Sequence, residues 1–221
     1  MDMILFFLIM IFHICLFIVA IGLAYRNGWF VVSNVIILVL LALIYDNGML
    51  AFGKFFGEGA RLEFYNEIRF WLHAFITPLL LLYAWDTMKR AGVKWVKWRS
   101  VTWFVLGLTL FLIIYEMVSE VWGLELEPYV HNGVLAYTKV GSESGIPIMI
   151  VVVTIALLIA SIYVGRIQNW FWYFTGVFFM TTGMAAPPPV ETGVYDNFLE
   201  LVLMFSLTTT KAFQDQYDRR K

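Results

Sequence analysis

Charge is the first thing this chain lacks. Asp, Glu, Lys and Arg make up 14% of its 221 residues, where a soluble domain carries about 25%. So few charges cannot cover a water-facing surface, so lipid is the expected solvent for most of the chain. Cysteine is nearly missing too. The single Cys15 excludes an internal disulfide and any cysteine-rich metal site. Histidine occurs three times and never at metal-pair spacing, which argues against a zinc site built from imidazoles. A carboxylate-rich magnesium or calcium site is chemically open, but no spacing specifies one. There is no HExxH, HxxxH, CxxC, GxSxG or Walker A pattern. A paired-histidine haem would need His13 and His73 at one depth, and nothing in the sequence places them there. The cofactor is therefore unknown. With 15 basic residues against 16 acidic ones the net charge is −1, so no nucleic-acid footprint exists.

What the chain has is hydrophobic residues, 61% of the total, and a mean hydropathy of +0.79. A membrane-crossing helix needs roughly 20 apolar residues. Seven segments qualify, at about 3–25, 29–52, 69–88, 100–122, 146–165, 169–187 and 196–213. The first lacks a basic leader and a small-residue cleavage site, so it reads as a retained anchor. The fold expected is an all-α integral membrane protein, a seven-transmembrane-helix bundle forming one polytopic domain over 1–221. Placing the N-terminus outside and the C-terminus inside puts 11 basic residues inside against 4 outside (Lys54, Arg61, Arg69 and Lys139), as the positive-inside rule asks. Trp95, Trp98, Trp103, Trp170 and Trp172 suit an interfacial belt. Lys211, near the inner edge, reads as snorkelling. Gly53-x-x-x-Gly57 lies at a helix end and reads as a turn. The outer loops are short, the longest at about 124–145. A plasma-type membrane is the expected location.

The acids are asymmetric as well. Thirteen of the 16 fall outside or in the outer half of a helix. Asp2, Glu58, Glu125, Glu127, Glu143 and Glu191 need only solvation. Others sit at membrane depth, where an ionised side chain costs about 2.5–3.5 kcal/mol even on the lenient scale. Asp46 interrupts an apolar segment. Glu116 and Glu120 are i, i+4 and share a face, as do Arg69 and His73, and Asp196 and Glu200. Glu63 and Glu67 lead into the third segment. Four segments thus bring ionisable groups to one outer level, where they must face one another, a cation or water. By contrast, the inner half offers little polar lining, since the third segment runs Leu79 to Ala84 before Asp86.

Arg69-Phe70-Trp71-Leu72-His73, followed by Thr77-Pro78 and a leucine run, resembles the third helix of the microbial rhodopsins. Lys211 falls where that family carries its retinal lysine, so the resemblance implies seven helices and a retinal chromophore. It covers two segments. It departs at Leu72 and Leu207, where the family has counter-ion acids that a protonated Schiff base in lipid requires. In size, segment count and intramembrane acids the chain is also similar to the small seven-helix membrane terpene cyclases of meroterpenoid pathways. That likeness implies acid-initiated chemistry on an isoprenoid.

Burial raises a carboxyl pKa, and a carboxyl held protonated near neutral pH is a general acid. The function expected is therefore an intramembrane enzyme, a cyclase, isomerase or lipid-modifying type, acting on a lipophilic substrate in a cavity open to the outer side. Asp46, Glu116, Glu120 and Glu200 would be the acids and bases, with His73 and Arg69 beside them. Tyr45, Phe70, Trp71, Tyr115 and Trp122 lie near the same level, where ring faces stabilise a cation. The alternatives are a proton- or cation-coupled carrier using the same acids as a relay, and a non-catalytic seven-helix sensor or retinal-binding protein. The partners expected are membrane lipid and a lipophilic small molecule.

Overall fold

The structure, a computed structural model, describes residues 1–141, 148–185 and 193–220. Glu143, Glu191, the Pro187–Pro189 run and the expected segment ends at 146–147 and 186–187 lie outside the described residues. The chain is mostly helical. In order it forms α1 (Asp2–Asn27), α2 (Val35–Phe56), α3 (Ala60–Ile76), α4 (Leu80–Ala91), α5 (Arg99–Glu116), strands β1 (Leu126–His131) and β2 (Val134–Lys139), then α6 (Ile148–Gln168), α7 (Trp172–Ala185) and α8 (Tyr195–Arg219). A 3₁₀ turn at Thr77–Leu79 joins α3 to α4. Pro78 causes it: the ring removes one backbone donor and crowds the preceding turn, so the ladder tightens without breaking the rod. Another 3₁₀ turn, Val32–Asn34, leads into α2, and a π-helical turn, Met117–Val121, ends α5.

Five rods are long and apolar enough to cross a bilayer: Asp2–Asn27, Val32–Phe56, Ala60–Ala91, Arg99–Val121 and Ile148–Gln168. This is the pattern of a multi-pass membrane protein. The third rod starts nine residues earlier than the hydropathy suggested, because Ala60–Arg69 is helical yet polar. The outward surfaces are apolar as lipid contact requires, with Phe12, Ile18, Phe104, Phe111 and Phe179 all exposed. Inside, Ile36, Leu40, Tyr83, Leu157, Met204 and Leu207 form part of one continuous core.

Going round the bundle, α1 packs on α2, α2 on α3, α4 on α6, α6 on α7, α7 on α8 and α8 back on α1, while α5 leans on α3 and α4 from outside. Lipid offers helices no hydrophobic drive to associate, so close packing through small residues must supply it. The α7–α8 seam shows this. Gly176 lies against Ser206, and Gly183 lies against Leu199, so closely that a Cβ at either glycine would collide with the opposing side chain.

The expected loop at 124–145 contains an antiparallel hairpin, with Leu126 opposite Lys139 and His131 opposite Val134. Its two-residue turn is Asn132-Gly133, both at positive φ, 45° and 87°. That is the Asn-Gly signal for a type I′ hairpin, and only the absence of clean apolar alternation hid it. The hairpin folds back over the end of the bundle. The N-terminal amine donates to the Asn132 carbonyl at 3.0 Å, and β2 packs on α2 and α3. Gly53 is not in a turn. It is buried within α2, where the Leu135 carbonyl comes so close that any Cβ would collide with it. Only Gly57 is at the helix end. The hairpin defines one end of the bundle; the opposite end, where α8 finishes, is the tail end.

Candidate functional site

The site at the hairpin end is built in two layers by two helices. On α3, Arg69 and His73 are one turn apart; on α8, Asn197 and Glu200 are likewise one turn apart. In the upper layer, Arg69 Nε donates to Asp46 Oδ1 on α2 at 2.8 Å, and Asn197 Nδ2 donates to Asp46 Oδ2 at 3.0 Å. Arg69 Nη1 also donates to Asn66 Oδ1 at 2.8 Å. Asp46 thereby ties α2, α3 and α8 together, with both carboxylate oxygens engaged. Asn197 and Asn66 escaped sequence reasoning because an asparagine carries no charge to flag it.

The lower layer opens on a cavity of about 230 Å³ between α2, the α3–α4 rod, α6, α7 and α8. Its wall is largely aliphatic, including Leu43, Leu80, Val153, Leu157 and Met204. Its polar lining is His73, Thr77, Thr154, Asp196 and Glu200. An apolar hollow with a few converging polar groups is the usual form of a small-molecule site. The Thr77 hydroxyl lies 3.4 Å from His73 Nδ1. A second cavity, of about 260 Å³, lies above the ion pair and under the hairpin, lined by Arg69, Phe70, Asn197, Tyr129 and His131 among others. The Asp46–Arg69–Asn197 layer therefore separates a polar antechamber from an apolar chamber.

Not every expected member joins this site. Glu120 is exposed and pairs with Lys139 of β2 at 2.7 Å. Glu116 is buried at the end of α5 but does not line the apolar cavity. Glu116 ends α5, the peripheral helix, and Glu120 lies in the π-helical turn that follows it. The aromatic group disperses too. Tyr45 donates to the Tyr65 carbonyl at 3.0 Å, Trp71 Nε1 donates to Glu67 Oε1 at 3.2 Å, and Tyr115 stacks on Phe111. Trp122 is 82% exposed. Phe70 lines the antechamber, and among the described residues no aromatic carbocycle lines the apolar chamber. Ring faces that could stabilise a carbocation are not where the sequence suggested.

A second polar centre lies at the tail end and contradicts the expectation of a bare inner half. Lys211 does not snorkel. It is fully buried, and its Nζ donates to Asp215 Oδ2 at 2.8 Å. Asp215 also accepts from Arg90 Nη2 at 2.6 Å and from Asn27 Nδ2 at 3.1 Å. Arg90 reaches Asp218 at 2.9 Å as well. Deeper in, Gln214 Nε2 donates to the Thr87 carbonyl and to Gln168 Oε1, and Tyr83 donates to the Leu207 carbonyl. Trp170 belongs to this centre rather than to a belt: its ring stacks on Phe213 at 4.3 Å and its Nε1 donates to Thr210. Hydropathy missed the network because each acid and base lies near a rod end, where charge is ordinarily solvated.

Among the described residues no group of three or more His, Cys, Asp or Glu side chains is arranged to hold a metal ion. His13 is buried in α1, and neither ring nitrogen has a partner among the described residues; it does not line the chamber that His73 faces. Comparison with protein-family models, with curated proteins and with solved structures gives no match to this chain.

Proposed function

We propose that this chain is a seven-span membrane protein, N-terminus outside, that holds a lipophilic molecule in the apolar chamber and moves protons on it with Glu200 and His73. The observation that carries this reading is that two carboxyls of α8, Asp196 and Glu200, and the His73 imidazole of α3 line the same largely aliphatic cavity. A carboxyl and an imidazole, one able to donate a proton and the other to accept it, are the pair that general acid–base chemistry uses. The third helical rod and α8 each carry a polar step between the antechamber and the chamber, which gives protons a route from the hairpin side. Asp46 and Arg69 act here as positioning residues: they fix α3 against α8 and so hold His73 and Glu200 to one hollow. With no aromatic carbocycle among the described residues of the lining, proton addition and removal, as in an isomerase, fits better than a long cationic cascade. The orientation rests on the basic excess at the tail end, and the substrate class, isoprenoid or other lipid, rests on the aliphatic wall.

Expression of the wild type and of Glu200→Gln, His73→Gln and Asp46→Asn in one host, followed by untargeted analysis of bound and membrane lipids, tests this. The reading expects one species to accumulate unconverted in the Glu200 and His73 variants. Identical lipid profiles in all four would overturn it.

One observation favours a second reading, a proton-coupled carrier. The buried Lys211–Asp215–Arg90 centre gives the tail end protonatable groups of its own, and the buried Thr208 hydroxyl has no partner among the described residues. Polar groups at both ends suit alternating access. Uptake into proteoliposomes that follows an imposed pH gradient would favour it over the enzyme.

A further inference from the structure

At the tail end lies a third and larger cavity, of about 720 Å³, bordered on one side by Arg90 and Asp215 and otherwise outside the chamber of the proposed function. Five of its lining residues are basic and three are acidic. The acids are largely spent on each other's partners: Asp215 holds Lys211 and Arg90, Asp218 holds Arg90, and Asp86 accepts from the Ser33 backbone N–H. Arg26, Lys89, Lys97 and Arg219 form no ion pair among the described residues, yet they converge on this one hollow from four different elements.

Their placement is held by the fold. Trp85 Nε1 donates to the Val96 carbonyl at 3.1 Å, which pins the turn bearing Lys97 against α4. Val96 itself is fully buried. The same indole seats the Lys89 ammonium 4.8 Å above its ring. On the far wall, Asn34 Nδ2 donates to the Gly28 and Trp29 carbonyls at 2.9 and 2.8 Å, fixing the α1–α2 connection beside Arg26. Gly92 caps α4 in the left-handed region at φ 96°, and Val93 N–H donates back to Met88, a Schellman closure that turns the chain over the cavity.

Five cations against three carboxylates leave the hollow with an excess of positive charge, and an anion in their midst relieves the repulsion. Lysines and arginines at short range suit phosphate oxygens in particular. We propose that this cavity is a binding site for a phosphate-type anion, either a phospholipid headgroup or free phosphate. The surrounding lipid favours the headgroup, since basic side chains at the membrane surface are drawn to anionic lipid.

The test uses the full chain in nanodiscs. Native mass spectrometry after reconstitution in equal parts phosphatidylcholine and phosphatidylglycerol reads headgroup binding. A melting series with inorganic phosphate, in phosphatidylcholine alone, reads free phosphate. The wild type is compared with Lys89→Gln/Lys97→Gln, with Lys97→Glu should the double variant fold poorly, and with Lys94→Gln/Arg166→Gln as a charge-matched control outside the cavity. We expect retention of phosphatidylglycerol over phosphatidylcholine by about tenfold, lost in the cavity variants and kept in the control. Stabilisation by inorganic phosphate alone, lost in the same variants, would also support the site and identify its ligand as the free anion. Equal retention of both lipids with no phosphate response, or equal loss in the control, would overturn it.

Discussion

Asn197 donates to the carboxylate oxygen of Asp46 that Arg69 leaves free, at 3.0 Å across 151 residues of sequence. This contact joins the last described helix to the second, and it places Glu200 one turn away from the only ion pair that links α2 to α3 among the described residues. The geometry of the proposed site depends on it.

Removing the charge of Asp46 should therefore cost more than a surface pair would. The Arg69 and Asp46 side chains are 15% and 26% exposed, so Asp46→Asn strands a half-buried guanidinium. The loss expected is about 1–3 kcal/mol. Asp46→Asn/Arg69→Gln should recover most of it. Thermal unfolding of the four proteins of this cycle in detergent checks both; additive losses would show that the pair is not coupled.

The tail-end centre predicts an asymmetry. Lys211→Met leaves Asp215 with Arg90, whereas Asp215→Asn leaves Lys211 buried with no carboxylate partner. Breaking a buried pair from the side that orphans a charge costs about 3–5 kcal/mol. Asp215→Asn should thus be the more damaging by several degrees in melting temperature. The reverse order would mean that Arg90, not Asp215, organises the centre.

Close packing of α7 on α8 gives a third expectation. Gly176→Ala should destabilise by about 1–3 kcal/mol, because its Cβ meets the Ser206 side chain. Ser206→Gly in the same chain should relieve the collision. Gly22→Ala and Gly107→Ala, each with open space around the new methyl, should be neutral or slightly stabilising. Melting curves of the set decide it.

The hairpin supplies a fourth. Gly53→Ala should push the Leu135 carbonyl away and loosen the hairpin without disturbing the rods. Limited proteolysis should then cut between Leu126 and Lys139 faster than in the wild type, with unchanged helical circular dichroism. An unchanged cleavage rate would show that the hairpin docks by other contacts.

Much of the architecture was legible because lipid imposes a coarse rule. A rod such as Ile148–Gln168, free of charge until Arg166, announces itself by composition alone. The i, i+4 pair Arg69 and His73 was legible for a related reason, since ionisable groups inside apolar segments are costly and so noticeable. Rotation was not legible. Glu116 and Glu200 look alike in sequence, yet one belongs to a peripheral helix and the other to the α8 seam. Lys211 was misread because burial at a rod end depends on Arg90 and Asp215 arriving from elsewhere, which no local pattern records. Asn197 was silent because an amide carries no titratable charge, the mark by which the acids and bases stood out.

The central claim is that the chamber bearing His73 and Glu200 accepts a lipophilic molecule. Val153 lies in its aliphatic wall, on α6 rather than on the helices of the Asp46–Arg69–Asn197 layer, so Val153→Trp should fill the hollow and leave that layer intact. Organic extracts of the purified wild type and of this variant, compared by mass spectrometry, make the most direct test. The account predicts one lipophilic species held in near-stoichiometric amount by the wild type and missing from the filled variant. The same lipids in the same amounts in both would contradict it.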